Sequence, residues 1–233
     1  MIFPGTSAER QEGKKEAFMA ENKKFVITVG RQYGSGGAEM AKRLGERLGL
    51  HVYDKEILKM TSEESGIRES YFHLADEKAG NKLLYRIIHS LIPENGTPSL
   101  GSDLISSDNL FRFQSSVIRK LAQEESCIII GRCSNLILRN AGIPSLDIFL
   151  HADVNLRTEH IQKLGLNGKE DPRKYLTKMD NLRETYFKAY TKHELGTYHD
   201  YDLCLDTGSL GYDNCIEIIT SLAKQQGLNL KHQ

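Results

Sequence analysis

A glycine-rich segment near the start of the chain contains the residues best suited to chemistry. It comprises Arg31, Gln32, Tyr33, Gly34, Ser35, Gly36 and Gly37. The apolar run Phe25–Val29 before it predicts a buried strand, and the residues after it predict a helix. Glycines let backbone N–H groups approach an anion closely, and the N-terminal end of a helix favours negative charge. The segment therefore predicts a phosphate-binding loop.

The predicted loop departs from the usual phosphate-loop pattern, G-x-x-x-x-G-K-[ST]. In that pattern the lysine reaches the phosphates and the hydroxyl reaches Mg²⁺. If Gly36 is the last loop glycine, then Arg31 stands in place of the first glycine. Gly37 then replaces the lysine, and Ala38 replaces the hydroxyl residue. Because the backbone amides remain, we expect anion binding, with Arg31 or Arg132 supplying part of the missing charge.

The same segment has two other interpretations. Gly34-Ser-Gly36 could begin the G-x-G-x-x-G pattern of a dinucleotide-binding fold, as in a nicotinamide-dependent dehydrogenase. That pattern requires a glycine at position 39, where the chain has Glu39, and the carboxylate would face a phosphate. The segment could also be an ordinary turn between a strand and a helix that binds nothing.

The composition limits the classes of partner. The chain has 31 basic and 31 acidic residues, so no overall charge attracts nucleic acid or a membrane surface. No apolar run approaches the roughly 20 residues that span a bilayer. The four cysteines form no C-x-x-C pair and the histidines form no H-E-x-x-H motif, so no protein metal site is predicted. We expect a cytoplasmic protein that binds small nucleotides, and the oligomeric state is left open.

Five runs predict strands of a parallel sheet. They are Phe25–Val29, a weaker run at His51–Tyr53, Cys127–Ile130, Leu146–Leu150 and Asp202–Leu205. Helical patterns lie between them, including one stripe of Gly37, Ala41, Leu44, Gly45 and Leu48 and another of Leu110, Phe113, Val117 and Leu121. Alternating strands and helices predict an α/β fold, here a P-loop-type, doubly wound, five-stranded parallel sheet.

The spacing of the elements predicts how the chain is divided. Residues 1–24 read as an N-terminal tail, and residues 25–54 and 110–233 as the core. About 70 residues separate the second and third strands, more than a simple crossover needs, so residues 55–109 are predicted to form a helical insert. The segment Leu164–Arg173 contains two glycines and a proline among charged residues, which predicts a mobile lid at about residues 164–173.

Six motifs in one order resemble the cytidylate kinase-like family of P-loop proteins. They are the strand followed by GRQYGSGG and a helix, Val52–Leu58, Ile128–Arg132, Ile148–Arg157, Asp180–Arg183 and Tyr201–Thr207. The resemblance covers roughly residues 25–225. It implies a nucleoside monophosphate kinase fold in which ATP, with Mg²⁺, donates its γ-phosphoryl group to a nucleoside monophosphate, with CMP or dCMP the first candidates. It also implies that the insert binds nucleotide and that the lid carries arginines.

The resemblance and the chemistry of arginine together suggest the roles of single residues. Arginine stays charged and grips phosphate through a planar fork of donors. The predicted catalytic residues are Arg31, Arg157 and Arg173, and the predicted acceptor-binding residues are Asp54, Arg132 and Arg183. Cys133 stands where true cytidylate kinases have the carboxylate of a Gly-Arg-Asp motif. The alternative to a kinase is therefore a degenerate nucleotide-binding module without turnover.

Several of these residues also have purely structural interpretations. Asp54 could cap the following helix, and Asp206 could cap the turn after the last strand. Asp180 and Arg183 lie three residues apart, which would allow a pair on a helix surface. Arg157 could be a solvated surface charge. Tyr186, Phe187 and Tyr190 share a helical face and would then belong to the core.

Overall fold

The computed structural model describes residues 24–65, 69–70 and 107–227. The predicted tail, residues 1–24, lies almost entirely outside the described residues, and so does most of the predicted insert, residues 55–109. The predicted core, by contrast, lies almost entirely within them. None of the helices in the described part of the chain is long and apolar enough to cross a bilayer.

The centre of the fold is a sheet of five parallel strands in the order β2-β3-β1-β4-β5. Its strands are β1 (Val26–Arg31), β2 (His51–Tyr53), β3 (Cys127–Ile130), β4 (Leu146–His151) and β5 (Leu203–Asp206). Every neighbouring pair is parallel. The five predicted strands are confirmed, and the differences lie at their ends.

The first strand ends later than the sequence predicted. Pairing with β4 continues through Gly30 opposite Phe149 and Arg31 opposite Leu150. Arg31, which was predicted to open the loop, is therefore the last residue of β1. The loop itself begins at Gln32, whose backbone N–H donates to the carbonyl of Leu150 at 3.0 Å.

The helices alternate with the strands along the chain. They are α1 (Gly37–Leu48), α2 (Glu56–Ser65), α3 (Ser107–Glu124), α4 (Ser134–Asn140), α5 (Val154–Lys163), α6 (Pro172–Thr191), α7 (Thr207–Leu210) and α8 (Tyr212–Gln225). A 3₁₀ turn covers Tyr198–Asp200. In α1 the predicted stripe is buried, and Gly45 lets the helix press onto Leu50 and Val52.

The helices cover both faces of the sheet, which confirms the doubly wound arrangement. Successive side chains of a strand point to opposite faces. Ile27 and Val29 of β1 pack in one core cluster with α1 and α8. Val26 packs in a second cluster on the other face, with α3, α4 and the aromatic residues of α6. Tyr186 and Phe187 are buried in this second cluster and Tyr190 packs against it, as their helical face predicted.

The strand order fixes where a ligand can bind. The sheet extends from β1 in both directions, with β3 and the edge strand β2 on one side and β4 and β5 on the other, and the chain reaches β2 before it returns to β3. In open α/β sheets, a crevice forms beyond the carboxyl ends of the strands where the order reverses. The glycine loop and Arg132 both follow the carboxyl ends of central strands, so the topology brings them to this crevice.

Candidate active site

A cavity of about 600 Å³ lies at the carboxyl ends of β1 and β3. Most of the predicted site residues line it: Arg31, Gln32, Tyr33, Gly34, Gly36, Gly37, Asp54, Arg132 and Arg183. Ser35 is buried and does not line the cavity, and its hydroxyl donates to the carbonyl of Gln32 at 2.9 Å. The predicted catalytic residues Arg157 and Arg173 also lie outside the lining.

The loop conformation depends on two glycines with left-handed backbone angles. Gly34 has φ of 74° and Gly36 has φ of 75°, a region that residues with a Cβ atom rarely adopt. The loop is also anchored from the far side, because the hydroxyl of Thr207 donates to the carbonyl of Ser35 at 2.8 Å. Asp206 caps the turn that holds Thr207, as the structural interpretation predicted, by accepting from the amides of Gly208 and Ser209.

Arg31 crosses the mouth of the loop toward the other strands. Its Nη2 atom lies 3.7 Å from Oδ1 of Asp54, which follows β2. Between β1 and Asp54, the guanidinium of Arg31 lies against Gly131, which follows β3. Gly131 has a φ of +71°, and a Cβ atom built on it would collide with Nη1 of Arg31. Arg31 thus joins the carboxyl ends of β1, β3 and β2. The Asp54 carboxylate faces this arginine across the cavity wall.

Arg132 begins a second set of polar contacts at the same edge. Its Nε donates to the backbone carbonyl of Asp54 at 3.3 Å, and Nη1 donates to Oε1 of Gln114 at 3.2 Å. The buried Gln114 in turn donates through Nε2 to the hydroxyl of Tyr186 at 2.8 Å. Arg132 and Cys133 both have φ of 57°, an uncommon backbone conformation for residues other than glycine and one that clusters at functional sites.

Gln114 was missed by the sequence reasoning. The predicted stripe on α3 contained Phe113, which is only half-buried, whereas Gln114 is 3% exposed and occupies the buried face between Leu110 and Val117. A polar residue at the helical spacing of a core stripe was the available signal. Buried polar side chains are paired, so such a residue predicts a partner across the core.

Arg183 brings a third guanidinium into the wall. Its Nη1 donates to the backbone carbonyl of Arg31 at 3.3 Å, and the guanidinium carbon lies 4.8 Å from the centre of the Tyr33 ring. Burial, together with the neighbouring charge of Arg31, lowers the pKa of Arg183 to about 9, which leaves it charged at neutral pH. Two cations held this close disfavour each other, and an anion between them would relieve the repulsion.

Arg157 lies behind the loop. Its Nε donates to the carbonyl of Ala152 at 3.1 Å, and its Nη1 donates to the carbonyl of Tyr33 at 3.1 Å and to Oδ2 of Asp180 at 2.5 Å. The other carboxylate oxygen of Asp180 accepts from the backbone N–H of Tyr33 at 2.7 Å. Arg157 is 7% exposed, so it is not a solvated surface charge. Asp180 binds the loop and Arg157, so its role is not limited to a surface pair with Arg183 on the helix.

The Tyr33 side chain is held as well as its backbone. Its ring meets the ring of Tyr175 edge-on, with centroids 5.7 Å apart. Burial, and then the hydrogen bond with Tyr175, raises the pKa of Tyr33 to about 12. Helix α6 therefore grips the first half of the loop through three side chains, Tyr175, Asp180 and Arg183.

The predicted lid segment lies between α5 and α6: residues 164–171 form a loop, and Pro172 and Arg173 begin α6. That the segment moves as a lid stays a prediction. Leu164 and Leu166 in this loop line the cavity while remaining 56% and 47% exposed. Arg173 lies near the start of α6, exposed, with Nη1 3.4 Å from Oδ1 of Asn155. The structure does not bring Arg173 together with Arg31, so its catalytic role stays a prediction.

The carboxylates around the cavity are few. Asp54 and Glu39 line it, and the described residues contain no group of three side chains that could hold a metal ion. Mg²⁺ bound to a nucleotide needs only one or two protein carboxylates, because phosphate oxygens and water complete its octahedron. Asp54, 34% exposed at its side chain, fits that requirement. Ala38 offers no hydroxyl.

A parallel sheet of this order, with a glycine loop after its central first strand, defines a doubly wound α/β fold of the P-loop type. The family model described as "Cytidylate kinase-like family" matches residues 26–209. The chain belongs to the cytidylate kinase-like family, which confirms the resemblance drawn from its motifs.

Two similar proteins each share less than a quarter of their aligned residues with this chain. The cytidylate kinase of Methanopyrus kandleri is 24% identical over 203 residues, which cover 83% of this chain and 90% of the relative. The crystal structure of an uncharacterized protein from Eubacterium ventriosum matches with a TM-score of 0.62 and 22% identity. That match covers 86% of this chain and 99% of the other, and it shows a shared fold.

Proposed function

We propose that this protein transfers the γ-phosphoryl group of ATP to a nucleoside monophosphate, with CMP or dCMP the first candidates. The observation that carries the proposal is the set of three arginines, Arg31, Arg132 and Arg183, gathered with Asp54 at the mouth of the glycine loop. Phosphoryl transfer needs little covalent help from a protein, because catalysis comes from positioning and from neutralising charge. The cavity offers both.

The donor phosphates would lie on the backbone amides of the loop. Glycines at positions 34, 36 and 37 leave these amides without side chains of their own, and α1 begins at Gly37 with its positive end toward the cavity. Arg157 and Asp180 would act as positioning residues, since both hold the backbone of Tyr33 in place. A loop held rigidly before binding loses less entropy when the nucleotide arrives.

The acceptor would lie on the side of Arg132 and Arg183. Two guanidinium groups can grip the phosphate of a nucleoside monophosphate, and the apolar wall of Met179, Leu182 and Phe187 offers a surface for its base. The choice of a cytosine base is supported by family membership. Arg173 would join from the predicted lid as a catalytic group.

Mg²⁺ would neutralise part of the phosphate charge when bound, with Asp54 as its protein ligand and water and phosphate oxygens completing its shell. Asp54 also lies beside Arg31, so one carboxylate would position both the Mg²⁺ ion and the arginine.

The second candidate is a nucleotide-binding module without turnover. Gly37 and Ala38 in place of the lysine and the hydroxyl favour this alternative, because both missing groups contact phosphate or metal in active P-loop enzymes.

A coupled assay of ADP release, run with ATP, Mg²⁺ and each nucleoside monophosphate in turn, tests the proposal. We expect turnover with a pyrimidine monophosphate, and we expect R132A to reduce kcat/KM at least about tenfold because a charged contact to the acceptor is lost. R119A, which removes an exposed arginine of α3, is the matched control. Binding of ATP without turnover of any acceptor would favour the module instead.

A further inference from the structure

The two departures from the phosphate-loop pattern at positions 31 and 37 lie against each other in space. They are separated by the whole loop in sequence, yet a Cβ atom built on Gly37 would lie 3.0 Å from both Cβ and Cγ of Arg31. A contact of that length is tighter than side chains normally tolerate, because carbon atoms prefer separations of about 3.5–4.0 Å. The stem of Arg31 therefore lies so close to Gly37 that a side chain at position 37 would force one of them to shift.

The backbone at position 37 does not itself require glycine. Gly37 is the first residue of α1, and it is absent from the glycines with positive φ. A glycine in a helix is less favourable than alanine by about 0.5–1 kcal/mol. Since the backbone conformation suits any residue, the close approach of Arg31 is the feature of the structure that explains the missing side chain.

The far end of Arg31 is fitted in the same way. The guanidinium occupies the space that a Cβ atom would take on Gly131, and Asp54 lies 3.7 Å from Nη2. Three contacts fix the orientation of the Arg31 side chain. Its aliphatic part packs on Gly37, and its guanidinium packs on Gly131 beside the Asp54 carboxylate. With a side chain exposure of 19%, the guanidinium still faces the cavity.

We infer that Arg31 performs the task of the missing loop lysine: it is the cation that binds the nucleotide phosphates. Gly37 leaves room for its stem, and Gly131, where a φ of +71° also favours glycine, leaves room for its guanidinium. The inference rests on the proposed nucleotide binding and names the group responsible for it. The positive charge of the loop is therefore kept, but it is supplied from position 31 instead of position 37. Arginine presents a planar fork to phosphate, where lysine presents a compact point charge.

The exchange can be reversed by mutation. R31G together with G37K gives the stretch from position 31 to 37 the full G-x-x-x-x-G-K pattern and removes the stem that blocks position 37. R31G alone removes the cation, and G37K alone places two cationic side chains in one space. R31M removes the charge but keeps most of the stem, so it guards against an effect of lost packing.

The measurement is ATP and adenosine affinity by calorimetry for the full chain, with thermal unfolding as a check on folding. We expect R31G, R31M and G37K each to weaken ATP binding about 10- to 100-fold, the range for a lost charged hydrogen bond. Adenosine binding should change far less, because adenosine has no phosphates. R31G/G37K should recover most of the ATP affinity that R31G loses, and R119M is the control for removal of an exposed arginine.

The outcomes separate the inference from the proposed function. Wild-type binding of ATP with unchanged affinity in R31M would overturn the inference alone, and so would a double variant that binds ATP no better than R31G while remaining folded. If the wild-type protein binds neither ATP nor any other nucleoside triphosphate, the proposed function fails and the inference fails with it.

Discussion

Arg31 and Arg157 flank the same loop, and the structure uses them differently. The Arg31 guanidinium lies in the cavity wall, 3.7 Å from Asp54. The Arg157 guanidinium lies behind the loop, outside the cavity lining, and donates to two backbone carbonyls and to Asp180. Arg31 is therefore placed to bind a ligand, whereas Arg157 holds the backbone of the protein. What decides between them is whether the guanidinium faces the cavity or the backbone.

The largest effect on stability should come from breaking the contacts of Arg157. We expect D180A to lower the free energy of unfolding by about 3 kcal/mol, because it leaves a buried guanidinium and the Tyr33 amide without their carboxylate. Urea denaturation measures the loss. R31M should cost less, since the Arg31 side chain is more exposed than that of Arg157.

E170A is the matched control for D180A. Glu170 pairs with Lys178 on the surface near the same helix, where the two side chains are 41% and 58% exposed. Such pairs contribute about 0–1 kcal/mol. If D180A cost no more than E170A, Arg157 and Asp180 would not be a structural clamp, and the contrast with Arg31 would disappear.

The next largest effect should come from displacing Arg31 without mutating it. Alanine at Gly131, where φ is +71°, should lower stability by about 1–2 kcal/mol through backbone strain. It should also weaken ATP binding about tenfold or more, since the new Cβ atom would push the guanidinium away from its place. Thermal unfolding and calorimetry measure the two effects on one protein sample.

Gly142 provides a control for the strain alone. Its φ is +67°, yet a Cβ atom there would have no neighbour within 4 Å. G142A should therefore lose stability like G131A while keeping its ATP affinity. Equal ATP affinity in G131A and G142A would contradict the claim that the guanidinium of Arg31 must lie against Gly131 to bind ATP.

The smallest effect should come from Arg183, which belongs to both groups because it contacts the Arg31 carbonyl and the Tyr33 ring. We expect R183M to weaken ATP binding only about fivefold, which corresponds to about 1 kcal/mol, because Arg183 would bind mainly the acceptor and the Arg31 guanidinium remains beside the ATP phosphates. K188M, on the same helix and in an exposed pair with Glu194, should leave ATP affinity unchanged. A larger loss in R183M than in R31M would make Arg183 the main phosphate ligand.

Much of the fold could be predicted because apolar periodicity reports which residues are buried. The continuous run Cys127–Ile130 and the loop glycines after Val29 identified two central strands and the edge at which they end. Arg132, a charge directly after an apolar strand, was placed correctly at that edge for the same reason.

The roles of individual polar residues could not be predicted in the same way. Asp180 and the Tyr33 amide are 147 residues apart in sequence, and no local pattern indicates that they meet. The partners of Arg157 could not be predicted either, because the sequence of a helix does not show whether an arginine in it faces solvent, a phosphate or a buried carbonyl. The exchange between positions 31 and 37 became visible only when the space around Gly37 was known.

The most direct test is a crystal structure of the wild-type protein with a non-hydrolysable ATP analogue. We expect the triphosphate to lie on the backbone amides of Gly34–Gly37, with a guanidinium nitrogen of Arg31 roughly 3 Å from a phosphate oxygen. An analogue bound elsewhere, or phosphates on the loop with the Arg31 guanidinium turned away from them, would contradict the account.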